Sequence, residues 1–293
     1  MKISSRVHQI RINFCVTEQV KRYVYVYLLE GAHGCYLIDS GTAGAENDIE
    51  AYMKSIGREP LKAVFLTHAH PDHIGAAHAL QDKTGCQVYA GARAVRWTEN
   101  PEQQFRERPI PNFWTLVGGA AKVNRPLADG ETITPEPGMT LRVQAAPGHS
   151  DDSVCYVWEE EKVAFLGDAV PAENDLPILT DYAASLRTLD ALSALDGIAW
   201  YCPAWDRAYS ADEIQAVLGA SRARLERLCG TVRQARAEAP DADSEDIFRM
   251  VCARAGMEHF AGNPLFRRSV QAMDQGGNHE RNQNQCDAHS GTA

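Results

Sequence analysis

The chain has 293 residues, 44% of them hydrophobic, enough to bury a large core in one sizeable domain with an extension. A formal net charge of −10 and a pI near 5.5 argue against a phosphate-tracking surface, so nucleic acid is not an expected partner. Eight scattered cysteines without a Cys-x-x-Cys pair, no basic-then-apolar opening, and no apolar run near the ~18 residues of a membrane span predict a soluble cytoplasmic protein with reduced thiols and no membrane partner.

Val7 to Phe14 alternates loosely, and Tyr23 to Leu29 is a run of β-branched and aromatic residues; both read as strands. Cys35 to Ile38 is a third strand, ending at Asp39, Ser40 and Gly41, after which Ala45, Ile49, Tyr52, Met53 and Ile56 recur at helical spacing up to Gly57. Ala63 to Leu66 is short, apolar and β-prone, a buried strand that delivers the stretch Thr67 to Gly75, THAHPDHIG, at its C-terminal end. His68, His70, Asp72 and His73 are all metal-competent, since a transition metal takes neutral imidazole nitrogens and carboxylate oxygens at about 2 Å. A helical pattern runs from His73 through Ile74, Ala77 and Leu80, so the donors straddle a strand-to-helix turn. In such a turn His68 and His70 can converge on one point while Asp72 and His73 face a second, which makes two adjacent metal positions possible.

Cys86 to Ala90 is a further strand. Between Trp97 and Gly130 the pattern fails, with Pro101, Pro109, Pro111 and Pro126 breaking it and Trp97, Phe105, Phe113 and Trp114 interleaved. A stretch this long with so many aromatics reads as a partly helical insertion that either walls a substrate pocket or simply packs. Met139 to Ala145, Ser153 to Trp158 and Lys162 to Leu166 are strands, Leu186, Leu189, Leu192 and Leu195 mark a helix after Asp181, and Ile198 to Cys202 is the last strand. Ser210 to Glu213 matches a capping box, followed by one apolar face from Ile214 to Val232 and a second helix after Pro240. From Gln275 to Ala293 no apolar pattern remains, so a disordered tail is expected, with His279 and His289 exposed and not ligands.

The His68-x-His70-x-Asp72-His73 sequence, followed in order by Pro147-Gly148-His149-Ser150 and Gly167-Asp168, resembles the signature of the metallo-β-lactamase superfamily, including its glyoxalase II-like hydrolases. The resemblance implies an α+β fold, a four-layer αββα sandwich, over residues 1–208, with a C-terminal helical extension over 209–274 and the tail over 275–293. It implies that His149 completes a first metal site with His68 and His70, and that Asp168 bridges to a second with Asp72 and His73. It also places Asp39 near the metal, where it would orient a ligand histidine unless it merely caps the next turn. The family's last ligand is usually a His after the next strand; here Pro203, Ala204, Trp205 and Asp206 follow that strand, and Trp205 stands where the His is expected. Asp206 and Cys202 are the nearby substitutes, and the expectation is a strong first site with a weak or absent second.

The implied cofactor is zinc, one or two ions, with iron or manganese as alternatives, and Asp72 is the candidate catalytic group, orienting a metal-bound hydroxide or shuttling its proton. The expected activity is hydrolysis of an ester, thioester, lactone or amide of a small-molecule substrate, with a homodimer possible. Two other readings belong beside it. The sulfur dioxygenases of the superfamily hold one iron through a His, His, Asp set that His68, His149 and Asp168 would reproduce, and the fold also serves as a ligand-binding or regulatory module with little turnover.

Overall fold

The structure is a computed structural model that describes residues 1–173 and 175–275; most of the expected tail, with His279 and His289, lies outside the described residues. Two antiparallel strands, β1 (Val7–Cys15) and β2 (Lys21–Glu30), open the chain, and β3 (Cys35–Ile38) adds antiparallel to β2. Helix α1 (Ala45–Ser55) then carries the chain across so that β4 (Leu61–Leu66) pairs parallel with β3. Two short helices, α2 (Pro71–Ile74) and α3 (Ala77–Thr84), lead to β5 (Gln87–Gly91), parallel to β4. The irregular stretch contains α4 (Val95–Thr98), α5 (Pro101–Glu107) and α6 (Phe113–Leu116) before β6 (Arg125–Leu127) closes the edge of a six-stranded sheet in the order β1 to β6.

The second sheet is mostly antiparallel. It holds β7 (Thr132–Glu136), β8 (Met139–Ala145), β9 (Val154–Trp158) and β10 (Val163–Gly167). After α7 (Tyr182–Ser193), β11 (Trp200–Pro203) joins β10 in parallel, and β12 (Tyr209–Ser210) forms the far edge. Helices α8 (Ala211–Glu238) and α9 (Ser244–Arg254) follow, and residues 264–275 are also helical. The capping box at the start of α8 forms as expected, Glu213 accepting from the backbone N–H and the hydroxyl of Ser210. The helix after β4 starts at Pro71, two residues before the periodic pattern suggests. Proline fits the first helical position because its missing N–H is one the helix does not use.

By contact density the chain forms two compact units. The first comprises Met1–Ala146, Asp152–Ala169 and Leu195–Ile214 and contains both sheets. Period-two alternation gives its first sheet two buried faces. Tyr36, Ile38, Ala63 and Phe65 belong to the core with Leu141, Tyr156, Trp158 and Phe165 of the second sheet, while Leu37, Val64 and Leu66 pack with Ile49 and Met53 of α1 and Leu80 of α3. The Phe65 and Tyr156 rings meet at 5.8 Å and those of Tyr27 and Phe165 at 5.4 Å, so the sheets are joined by aromatic contacts. The second unit comprises Pro147–Asp151, Val170–Ala194 and the chain from Gln215 onward, and its described residues are helical apart from loops. Its α9 and the 264–275 helix bury Phe248 against Phe266, with ring centroids 5.6 Å apart. Among the described residues no helix is long and apolar enough to cross a membrane, and the cysteines from Cys15 to Cys252 are free thiols.

Candidate metal centre

The donor-bearing residues of the first unit lie just beyond the C-terminal ends of neighbouring strands: Asp39 after β3, His68 and His70 after β4, Asp168 after β10 and Trp205 after β11. Strand ends are where backbone pairing stops and side chains can converge on a ligand. Gly167 makes the approach of the two sheets close here. A Cβ on it would come within 2.6 Å of Thr67 Oγ1, and its φ of +52° favours glycine.

Asp39 organises two of the histidines. Its Oδ1 accepts the Thr67 N–H at 2.7 Å, and its Oδ2 accepts the Thr67 hydroxyl at 2.9 Å and lies 2.8 Å from His73 Nδ1. Because an ionised carboxylate only accepts, Nδ1 of His73 carries a proton, so in the neutral ring Nε2 holds the lone pair that a metal would take. Thr67 Oγ1, having donated to Asp39, accepts from His68 Nδ1 at 3.1 Å, and the same logic makes Nε2 the basic nitrogen of His68. Asp39 thus orients the His73 ring, and Thr67 extends its reach to the ring of His68.

The peptide between His68 and His70 is held on both sides. Ala69 N–H donates to Asp152 Oδ2 at 2.8 Å, and its carbonyl accepts from the side-chain amide of Gln104, a fully buried residue of α5. Trp97, from α4, lies nearly parallel to the His70 ring at 6.4 Å, and its indole N–H donates to Glu107 at 2.7 Å. The irregular 97–130 stretch therefore contributes two groups that bear on the motif. Thr67, Asp152 and Gln104 are the site residues that sequence reasoning missed.

His68, His73 and Asp168 each offer a ligand atom, all within 4.8 Å of one another. The His68 ring centroid is 4.0 Å from that of His73 and 4.5 Å from that of His70. His73 Nε2 is shielded from solvent without a well-formed hydrogen bond and faces Asp168 Oδ1 at 3.2 Å and Asp72 Oδ2 at 3.8 Å. A buried imidazole nitrogen beside carboxylate oxygens suits a divalent metal such as zinc, so the residues present fit the group that the motif implies. Burial opposes charge on His73, yet the carboxylates of Asp168, Asp39 and Asp72 outweigh it and raise its pKa well above the usual imidazole range. Burial also raises the Asp72 carboxyl, with the nearby Asp168 charge acting in the same direction.

His149 belongs to the second unit. There the loop Pro147–Asp151 is tied down by its own neighbours: the Gly148 carbonyl accepts from Thr180 N–H at 2.7 Å, the Pro147 carbonyl accepts from the Thr188 hydroxyl at 2.7 Å, and His149 Nδ1 lies 2.9 Å from the Ile178 carbonyl. That last contact puts the proton on Nδ1 and leaves Nε2 basic, as on His68 and His73. Gly148, at φ +133°, lets the loop run against Ser185, whose Oγ would stand 2.4 Å from an added Cβ.

Trp205 does not point away from the first unit's donors. Its indole N–H donates to Asp168 Oδ1 at 2.8 Å, the same oxygen that faces His73. Of the two substitutes, Asp206 accepts from the Tyr209 hydroxyl, and burial pushes the Cys202 thiol up, which disfavours the thiolate a metal needs. Among the described residues neither joins a compact group of metal-competent side chains.

The sequence pattern of the metallo-beta-lactamase superfamily matches residues 20–199, more than half of the chain, and the chain belongs to that superfamily. A hydroxyacylglutathione hydrolase of Thiobacillus denitrificans is 30% identical over 205 residues, covering 69% of each chain. An atrochrysone carboxyl ACP thioesterase of Aspergillus fumigatus is 29% identical over 179 residues, which cover 58% of this chain and 48% of that protein. Across the first curated relatives it matches, the chain spans from 48% to 66% of their length. A solved β-lactamase domain protein from Burkholderia ambifaria superimposes with a TM-score of 0.74 at 18% identity, covering 93% of this chain and 86% of its own. The α+β metallo-β-lactamase fold expected from the motifs is therefore the fold of this chain.

Proposed function

We propose that this chain is a metal-dependent hydrolase of acyl esters, with thioesters as the foremost substrates. The observation that carries the reading is the buried cluster of the His68, His70 and His73 rings close to Asp168, with Asp39 fixing the imidazole tautomers directly and through Thr67. His68, His70 and His149 are the proposed holders of zinc, with Asp72, His73 and Asp168 alongside, following the order of motifs in the superfamily. A divalent ion held there would lower the pKa of water from 15.7 to about 7 and polarise an acyl carbonyl oxygen.

The chain's own groups supply the rest. Asp72, at the margin of the set with Oδ2 3.8 Å from His73 Nε2, takes a proton from the attacking water and passes it to the leaving group. Asp39, Thr67, Asp152 and Gln104 hold the imidazoles and their peptide in place, so that little reorganisation accompanies the reaction. The thioester preference is supported by the names of two relatives, an acylglutathione hydrolase and an ACP thioesterase. The free cysteines fit a cytoplasmic setting. The test is metal content of untagged protein paired with a panel of esters, thioesters, lactones and amides. Zinc with thioester turnover is the expected result; iron with oxygen uptake, or no turnover across the panel, overturns the reading.

A further inference from the structure

We infer that the centre is built for one metal ion, and that the indole of Trp205 takes the place of a second by satisfying the Asp168 carboxylate with an N–H. The inference rests on the reading of His68, His70 and His149 as holders of a metal and concerns the groups next to them. Asp168 Oδ1 is approached from one side by His73 Nε2 at 3.2 Å and from the other by Trp205 Nε1 at 2.8 Å. An indole N–H is a donor with no lone pair in the ring plane, so Trp205 cannot coordinate a cation and can only occupy an acceptor that a cation would use. A carboxylate that is only 10% exposed must be met either by a metal or by donors, and here a donor is built in.

That donor is not free to swing aside. The turn carrying Trp205 is held by three bonds to two strands, β10 and β2: Ala204 N–H to the Gly167 carbonyl at 2.9 Å, the Ala204 carbonyl to Tyr25 N–H at 2.8 Å, and the Pro203 carbonyl to the Tyr27 hydroxyl at 2.6 Å. Above the turn the indole packs against the Tyr23 ring at 5.8 Å and under the Arg22 guanidinium at 4.6 Å. A second cation would have to share the Asp168 carboxylate with the indole N–H, which already draws on its charge, and would bring its own charge toward Arg22, so it is held less tightly than where a histidine stands at 205. Trp205 is thus a positioning residue: it fixes the rotation of Asp168 toward His73 in the absence of a bridging ion.

The experiment is a Zn2+ titration of metal-free protein against a competing chromophoric chelator, for the wild-type chain, Trp205→Phe and Trp205→His, each checked by thermal melting. The wild type is expected to take one equivalent tightly. Trp205→Phe, which removes the N–H without adding a ligand, keeps that stoichiometry, whereas Trp205→His gains a second equivalent bound at least about tenfold more tightly than any second equivalent of the wild type. Two equivalents of similar affinity in the wild type overturn the inference while leaving the hydrolase reading intact, and no tight equivalent at all overturns the hydrolase reading itself. Superimposed wild-type and His titrations, with the variant folded, also overturn it. Should Trp205→His fail to fold, the wild-type stoichiometry decides alone.

Discussion

Two buried carboxylates stand at opposite ends of β3 and do different things with the same chemistry. Asp39, beyond its C-terminal end, accepts from Thr67 and His73. Glu136, beside its N-terminal end, accepts from the backbone N–H groups of Ala32 at 2.5 Å and His33 at 3.3 Å and from the Tyr36 hydroxyl at 3.2 Å. Both are nearly inaccessible, at 2% and 6% exposure, and both must be satisfied to be there at all. The donors of Glu136 are peptide groups and a phenol that burial, with Glu136 itself beside it, keeps protonated; their bonding ends at the carboxylate and closes a loop. The partners of Asp39 are bifunctional, since each imidazole it governs has a second nitrogen turned toward other donors. A buried carboxylate therefore points to function when its partners still have something to offer beyond it.

The contrast predicts a graded series of effects. Replacing His68 or His149 by Ala should abolish tightly bound metal and turnover together while the melting transition persists, because a large core does not depend on metal. Unchanged metal stoichiometry in both variants would falsify their assignment as ligands. Asp39→Asn should lower metal affinity about 10- to 100-fold, the usual effect of losing an outer-shell partner, since an amide can present its N–H to the Thr67 hydroxyl and upset the bond that fixes His68. Metal affinity within twofold of the wild type would show that the Asp39–Thr67 pair does not position His68. Glu136→Ala should do the opposite, costing about 1–3 kcal/mol of stability through orphaned N–H groups while leaving metal affinity unchanged. A parallel loss of metal would mean that the two ends of β3 are coupled. Smallest of all, Gln104→Leu removes one bond to the Ala69 carbonyl and should cost about 1 kcal/mol with a metal affinity nearer wild type than that of Asp39→Asn. The same chelator competition and thermal melts read all four.

What could be read in the sequence follows from how local each signal is. The donors from His68 to His73 fall within six residues, and the last four residues of the strand before them, Ala63 to Leu66, are an unbroken apolar run, so both appear plainly. The missed strands are β6, β7 and β12. The first carries Pro126 and the second Pro135; each lies at a sheet edge, where proline is tolerated because no neighbour needs its missing N–H, but proline is also the strongest sign of a loop. β12 is two residues long and leaves no period to detect. Gln104 was hidden by the irregular stretch around it: nothing in PEQQFRE separates the buried amide from its neighbour Gln103, which is exposed enough to bond Glu107. Trp205 marks the limit most clearly. Its identity shows that the family's usual histidine is not there, while the bond from its N–H to Asp168 depends on the direction of a side chain, which spacing does not encode.

The placement of two of the five tryptophans also gives the molecule an optical reporter of its own. Trp97 lies nearly parallel to the ring of His70, and the N–H of Trp205 is bonded to Asp168, whereas Trp158 is wholly enclosed in the core between the sheets. Indole emission shifts with the charge and polarity around the ring, so an ion arriving among these donors changes the surroundings of Trp97 and Trp205 and leaves Trp158 as a steady background. Difference spectra of the wild type and Trp205→Phe would separate the two signals, turning occupancy of the centre into a colour change that can be followed in real time without any added dye.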